Sequence, residues 1–271
     1  MPKGFVLAFH SHNVSGNTYD TNDHVALDGS LGLIEALGLP VLRLARVVRE
    51  LRANSFPRLP ERFVCATFDD GSDYDWKPVR HPLHGDQEPM ADIVRRHRKK
   101  LFGILTLRKA FATSFVIASP AARAEIVGAD KPYRLSEDWW AEAQASGFFD
   151  IGSHGWNHVH PAVREMGECP ELIEAFGKIR TAAQAQLQID TAAHYIREHA
   201  GPDAARLFAY PYGQVSDYLA DEYFPAQSET WAAFTTEARP LVEGADLWRL
   251  PRFVCGWHWK CVAELEAILS S

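Results

Sequence analysis

Two acidic residues stand side by side at the end of an apolar segment. The run Phe63–Phe68 leads directly into Asp69 and Asp70, and Gly71 follows them. Aromatic and β-branched residues in this run favour a buried strand over a helix. A strand that ends in two carboxylates is typical of a catalytic or metal-binding site, whereas the alternative is a solvated acidic turn.

Two histidines four residues apart follow a second apolar segment. His154 and His158 come just after Phe148–Gly152. On one helical turn, residues i and i+4 lie on the same side, so both imidazoles could face one divalent cation while a carboxylate arrives from elsewhere. The alternative is coincidence in a chain that has 12 histidines. Because both motifs occur in one chain, a metal site with an open position for water is favoured.

These motifs resemble the signatures of the polysaccharide deacetylases with a NodB-like domain, which are a T-F-D-D-G strand end and an H-x-x-x-H metal pair. A third element, Arg206–Gly213, ends in a Pro-aromatic-Gly turn at Pro211 and Tyr212, as in that family's third motif. The resemblance extends from the first predicted strand to Arg249–Arg252. It implies an α/β fold, namely a distorted, incomplete (β/α) barrel of about seven parallel strands.

The resemblance also implies roles for individual residues. Asp70, His154 and His158 would hold a divalent metal, with Zn²⁺ expected and Co²⁺ or Ni²⁺ as alternatives. Asp69 would take the proton of the attacking water, and the backbone N–H of Tyr212 would donate to the oxyanion. Neighbouring side chains on a strand point in opposite directions, so only one of the two acids can easily bind the ion, and the sequence alone does not exclude the reverse assignment.

A proton donor for the leaving amine is expected at the end of another strand. The first predicted strand ends at His10, and the last one lacks the histidine that many family members have there. In this respect the chain resembles the permuted branch that deacetylates poly-N-acetylglucosamine, which makes His10 the proton donor. His258, between two tryptophans, is the alternative, and a structural role is open for either histidine.

The side of the site that meets the substrate is predicted from three residues. The family often has an arginine that holds the catalytic base, but this chain has Ala209 at that position. Arg252 is the candidate to replace it by binding Asp69, and a surface arginine after a proline is the alternative. Together with Arg252 we assign Pro211 and Trp156 to the substrate site, where Trp156 either stacks on a sugar or packs locally.

Strands that alternate with helices predict a parallel sheet in one catalytic domain that covers residues 1–271. Residues 73–89 are polar and follow the two acids, so they are predicted to be an inserted loop that forms one wall of the pocket. Ser136 is a predicted helix cap, and Gly201 is predicted to end a long helix. The predicted strands lie near 4–9, 63–68, 113–118, 148–152, 207–210, 232–235 and 250–255, and the predicted helices over 30–38, 44–52, 90–110, 137–146, 171–199 and 261–269.

Charge and hydropathy limit the kinds of molecule that the protein is expected to bind. The net charge of −7 argues against nucleic acid, which needs a basic face. The basic cluster 95–100 is predicted to be the solvated face of a helix, and binding to anionic lipid is the alternative. The N-terminal segment lacks the apolar core of a signal peptide, and no run is long enough to span a membrane. A cytoplasmic protein is therefore expected, with peripheral membrane association left open.

These observations predict a metal-dependent N-deacetylase. Its substrate would be an N-acetylated oligo- or polysaccharide, with N-acetylhexosamine units of a bacterial exopolysaccharide, a surface polysaccharide or a lipid-linked precursor. A related amidohydrolase that acts on a small amide, such as a formamido sugar or a ureide, is the first alternative and would need a smaller pocket. A catalytically silent sugar-binding module is the second alternative, and the intact set of acids and histidines argues against it.

Overall fold

The computed structural model describes residues 1–100, 110–129, 131–164, 170–226 and 229–271. Seven parallel strands form one sheet in the order β8-β7-β6-β5-β2-β1-β9, and β3 and β4 form a separate antiparallel hairpin. The prediction of an incomplete barrel of seven parallel strands is confirmed. The strands are β1 (Lys3–Phe9), β2 (Arg62–Asp70), β3 (Val79–His81), β4 (Gly85–Gln87), β5 (Ala112–Val116), β6 (Phe149–Ser153), β7 (Leu207–Ala209), β8 (Ala232–Phe234) and β9 (Phe253–Val254).

The central strands are buried along almost their whole length. β1 pairs with β2 from Lys3 opposite Arg62 to Phe9 opposite Phe68, and β5 pairs with β2 up to Val116 opposite Asp70. Near-continuous apolar runs are typical of parallel strands that are covered on both faces. The register places the carboxyl ends of β1, β2, β5 and β6 at one edge of the sheet, which is where the sequence predicts the chemistry.

One short segment connects the two edges of the sheet. Of the strand predicted near 250–255, only β9 is a strand in the structure. The residues on either side of β9 form hydrogen bonds to both edges of the sheet. Leu250 donates its N–H to Ala233 and accepts one from Thr235, while Cys255 donates to Ala8. This closing segment, residues 250–255, therefore lies between β8 and β1 and brings the sheet close to a complete barrel.

Helices pack on the outside of the sheet. They are α1 (Asp23–Ala36), α2 (Leu44–Arg52), α3 (Met90–Lys100), α4 (Pro120–Val127), α5 (Trp140–Ala145), α6 (Ala182–Ala185), α7 (Ala192–Ala200), α8 (Phe224–Ala226) and α9 (Val262–Ser270), with π-helical turns at Gln186–Thr191 and Tyr218–Tyr223. None of the helices in the described ranges is long and apolar enough to cross a bilayer. Residues 101–109 of the helix predicted over 90–110 lie outside the described residues.

Several predicted helix boundaries were wrong because nearby polar side chains form hydrogen bonds that the sequence did not indicate. α1 begins seven residues early, since Asn22 caps it by accepting the N–H of His24. Ser136 is not a cap, because its N–H and hydroxyl both donate to Asp73, and α5 starts only at Trp140.

The long helix predicted over 171–199 is also wrong in its first half. A capping box at Thr181 and Gln184 starts α6, a π-helical turn links it to α7, and Gly201 ends α7 as predicted. α4 was not predicted, although Ser119 followed by Pro120 is a recognised start signal.

The basic cluster lies on α3, and two of its residues, Arg96 and His97, contact α1. Arg96 forms ion pairs with Asp28 and Glu88, and the imidazole of His97 is 2.7 Å from Asp28. These contacts join the two helices, so Arg96 and His97 are already engaged within the protein.

Candidate active site

The three predicted metal ligands meet at the carboxyl ends of β2 and β6. Nε2 of His154 and Nε2 of His158 lie 3.6 and 3.5 Å from Oδ1 of Asp70. All three ligand atoms lie within 4.8 Å of one another. A single small cation placed between them would contact one carboxylate and two imidazoles.

The two histidines converge by a route that the sequence did not predict. Residues 154–158 form no helical turn, and the chain bends through positive φ angles of 85° at Gly155 and 60° at His158. Gln188 fixes this bend by accepting the N–H of Trp156 and donating to Asn157. The imidazole centroids end up 4.7 Å apart, so the pair faces one point without helical spacing.

The donor atoms in this cluster suit a divalent cation. Nδ1 of His154 donates to the carbonyl of Ala209 at 2.8 Å, which directs Nε2 toward Asp70. Burial, with His154 alongside, lowers the pKa of His158 to about 3, so this imidazole is neutral at physiological pH. Burial acts to raise the pKa of Asp70, but the surrounding histidines outweigh this effect, and the net pKa lies well below its usual value. One carboxylate oxygen and two imidazole nitrogens form the usual donor set of a zinc site with an open position.

The second acid of the pair is held by a buried arginine. Arg252 binds Asp69 through two parallel hydrogen bonds, Nη1 to Oδ1 at 2.7 Å and Nη2 to Oδ2 at 2.9 Å. The guanidinium is fully buried and also donates to the carbonyl of Thr235 at 3.1 Å. Burial raises the pKa of Asp69, yet the charge of Arg252 and its hydrogen bond bring the net pKa below the usual value.

We predicted Arg252 among the substrate-binding residues. Because it is fully buried, it has no surface through which it could contact a substrate. It lies behind Asp69 on the closing segment, where the structure leaves it no exposed surface. The alternative of a surface arginine is excluded by the same observation.

A cavity of about 470 Å³ opens above the two acids. It is lined by His10, His12, Asp69, Asp70, Ile117, Ile126, Tyr133, Leu135, His154, His158, His160, Tyr212, Gly213, Thr236, Val254 and Trp257. The insertion at 73–89 contributes no described side chain to this lining, so the prediction that it forms a pocket wall was wrong. It forms the β3–β4 hairpin, and Tyr74 packs behind the cavity residue Tyr133 with ring centroids 6.4 Å apart.

The structure separates the two candidates for the proton donor. His10 lines the cavity, and its backbone N–H donates to Asp23 at 2.6 Å. Nδ1 of His258 instead accepts the N–H of Val254, and its ring stacks on Trp257 at 5.1 Å. His258 is thus engaged outside the cavity.

The aromatic residues predicted for the site lie in different surroundings. Trp156 packs on Tyr195 with ring centroids 5.9 Å apart, so its side chain belongs to the packing beside the core. Tyr212 lines the cavity with φ of 57°, and its ring lies 4.5 Å from that of His158. Pro211 is buried beneath this turn. Trp257 stands at the rim with 67% of its surface exposed.

His12, Tyr133 and His160 line the cavity but were not assigned to the site from the sequence. Nδ1 of His12 is 3.8 Å from Oδ2 of Asp70, and the His12 ring lies 4.9 Å from that of Tyr133. Burial lowers the pKa of His12 to about 4, so it is uncharged at neutral pH. His160 also lines the cavity. His12 and His160 each follow a predicted histidine by two residues, which was an available signal, whereas Tyr133 lies in a loop and had none.

Fold and site together define an incomplete α/β barrel with an Asp-His-His cluster that could hold a metal ion and a neighbouring acid bound by an arginine. The family model for polysaccharide deacetylase matches residues 57–226, and the chain therefore belongs to that family. The matched region contains both acids and both cation-site histidines, while His10 and Arg252 lie outside it. No curated protein matches the sequence.

Solved structures of deacetylases are similar over the whole chain. IcaB from Ammonifex degensii is 18% identical with a TM-score of 0.65, and the match covers 100% of this chain and 97% of that one. A de-N-acetylase from Aggregatibacter actinomycetemcomitans is 16% identical with a TM-score of 0.63, with coverage of 98% and 99%. PplD of Streptococcus pyogenes, a deacetylase solved in complex with acetate, is 17% identical with a TM-score of 0.61, with coverage of 94% and 93%. At these identities the similarity establishes the shared fold.

Proposed function

We propose that this protein is a metal-dependent N-deacetylase that hydrolyses the acetamide of N-acetylhexosamine units in a polysaccharide. The observation that carries the proposal is the pairing of two acids with separate surroundings. Asp70 faces the imidazoles of His154 and His158, and Asp69 is held by Arg252 at the floor of the same cavity. Acids with separate partners can perform separate tasks, one as a metal ligand and the other as a base.

Each residue has a role that its contacts support. Asp70, His154 and His158 would hold a divalent ion, Zn²⁺ in the first instance, which supplies carbonyl polarisation and lowers the pKa of a bound water toward about 7. Asp69 stays ionised beside Arg252 and takes the proton of the attacking water. The turn that carries Tyr212 borders the cavity, where its backbone N–H would donate to the oxyanion. His10 would then protonate the departing amine.

The size of the cavity favours a sugar over a small amide. Its volume of about 470 Å³ lies within the range of roughly 300–1,000 Å³ that is usual for small-molecule sites. The exposed indole of Trp257 at the rim offers a flat surface for a sugar ring. Membership of the polysaccharide deacetylase family supports a substrate in an exopolysaccharide, a surface polysaccharide or a lipid-linked precursor. A ureide would leave most of this volume unfilled, whereas a formamido sugar is smaller than an acetamido sugar by only one methylene and is separated from it by assay.

Acetate release from N-acetylglucosamine oligomers of increasing length tests the proposal. We expect no release by chelator-treated protein and recovery after addition of Zn²⁺ or Co²⁺. Metal content and affinity, measured separately, should show one ion per chain. A protein that binds one ion tightly but releases no acetate from any oligomer would contradict the proposal and lead to tests of formamido sugars and ureides.

The proton donor is tested by a matched pair of histidine variants. We expect His10→Gln to lower kcat by about 10²-fold or more, because the amine would leave without its proton. His258→Gln is the control, since its ring stacks on Trp257 and binds the backbone of Val254. It should keep kcat within a few-fold of wild type. A larger loss in His258→Gln than in His10→Gln would reverse the assignment.

A further inference from the structure

The lining of the cavity has two chemically different parts. Ile117, Ile126, Tyr133 and Leu135 belong to one packing cluster, which we call the apolar wall. The rest of the lining includes the imidazoles, hydroxyls and indole of His10, His160, Tyr212, Thr236 and Trp257. A sugar has hydroxyl groups that need hydrogen-bond partners, and these polar residues supply them. The apolar wall suits an alkyl group better.

The apolar wall begins next to the cation site. Ile117 follows Val116, which pairs with Asp70 across the sheet and accepts the N–H of His154. The next residue, Ala118, donates its N–H to Gly155 in the turn between the two histidines. Ile117 therefore lies between two residues whose backbone contacts the strand and the turn that carry the candidate metal ligands, and it lines the same cavity.

Strand order places the proton-donor candidate and the wall on different strands. β5, which leads to Ile117, is the middle strand of the sheet, while β1 and β9, which lead to His10 and Trp257, lie at one end. His12 lies between the two regions, with its ring 5.9 Å from that of His10 and 4.9 Å from that of Tyr133. An amide whose nitrogen lies toward His10 can therefore direct its acyl carbon chain toward Ile117 and the rest of the apolar wall.

The apolar wall is held in place by one buried side chain. Arg123 of α4 donates to the carbonyl of Leu135 at 2.6 Å and to that of Ala118 at 3.4 Å. It also forms an ion pair with Glu137 and lies 5.0 Å from the ring centroid of Trp140. The segments that carry Ile117 and Leu135 are thereby fixed to α4, which carries Ile126, so this surface exists before any substrate binds.

We infer that the apolar wall is an acyl-chain site and that the enzyme removes N-acyl groups longer than acetyl, such as N-propionyl and N-butyryl, from amino sugars. The inference rests on the proposed function and extends its substrate class. A methyl group can touch only a small part of a surface built from two isoleucines, a leucine and a tyrosine ring. Longer chains cover more of it, and each buried methylene favours binding by about fourfold.

The test uses the metal-loaded full chain and glucosamine trimers that carry N-acetyl, N-propionyl or N-butyryl groups. We expect kcat/KM for the N-butyryl trimer to equal or exceed that for the N-acetyl trimer. Ile126→Trp should fill the wall and lower the N-butyryl value by about tenfold or more, since one methylene in a pocket of the wrong size costs this much. The N-acetyl value should fall by a smaller factor, because a methyl group reaches less of the wall, so the ratio of the two values is the readout.

Two further variants complete the design. Ile126→Ala should widen the wall and improve cleavage of an N-hexanoyl trimer relative to wild type. Leu83→Trp adds the same side chain at an exposed position of the hairpin, where 82% of the leucine surface is accessible, and should change no acyl preference.

The two proposals fail in different ways. Cleavage of the N-acetyl trimer more than about 100-fold faster than the N-butyryl trimer would overturn the acyl-chain site and leave the deacetylase proposal standing. Absence of cleavage for all trimers by protein with bound metal would overturn the proposed function, and the acyl-chain site with it. An unchanged preference in Ile126→Trp would show that the chain does not lie against this wall.

Discussion

Asp69→Asn is expected to slow amide hydrolysis by about 10²–10⁴-fold while leaving metal affinity close to that of wild type. The amide cannot accept a proton from water, but it occupies nearly the same volume beside Arg252. Asp69 contributes no ligand atom to the cluster of Asp70, His154 and His158. Metal titration and steady-state kinetics on the same preparation give both quantities.

Asp70→Asn is the comparison that separates the two acids. It removes an anionic ligand, so metal affinity and activity should fall together. If Asp69→Asn lost the metal and Asp70→Asn kept it, the roles of the two acids would be exchanged, as the sequence alone allowed.

Arg252→Ala is expected to lower the free energy of unfolding by about 3–5 kcal/mol, because it leaves the buried carboxylate of Asp69 without its partner. Arg249→Ala is the matched control, because Arg249 lies three residues before Arg252 in the chain. Arg249 pairs with Asp221 and Asp246 at the surface, where ion pairs contribute about 0–1 kcal/mol. Urea denaturation of both variants measures the difference. Similar losses for the two arginines would contradict the assignment.

Arg252→Ala should also change the pH profile of activity, independently of its effect on stability. Asp69 must be ionised to act as a base, and Arg252 lowers its pKa. Without the guanidinium the pKa rises, so the acidic limb of kcat/KM against pH should move to higher pH. Adding Asp69→Asn to Arg252→Ala removes the buried charge and should restore part of the lost stability, which tests whether the cost comes from the unpaired carboxylate.

The positions of the candidate residues at strand ends were predictable, because a buried strand leaves a recognisable apolar run and the candidate residue follows it. This holds for Asp69, Asp70, His154, His158 and His10. Their convergence was not predictable in detail. His154 and His158 meet through backbone with positive φ at Gly155, and a pattern of side-chain types contains no information about that bend.

Position next to a ligand proved a poor guide to what a side chain faces. Trp156 lies between the two histidines in sequence, yet it turns away to Tyr195. Tyr133 and Leu135 line the cavity from a loop with no periodicity, so only the folded structure could reveal the apolar wall. Arg252 was proposed because the chain has Ala209 where the family often has the arginine that holds the base, and the structure shows Arg252 bound to Asp69.

The hydrogen bonds between Arg252 and Asp69 join residues 183 positions apart in the chain. Ribosomes add about 5–20 residues per second, so an emerging chain carries Asp69 for roughly 10–40 s before its guanidinium has been synthesised. During that interval β2 already ends in two acids, but the closing segment does not yet exist. The ion pair that holds Asp69 therefore forms well after β2 has been synthesised.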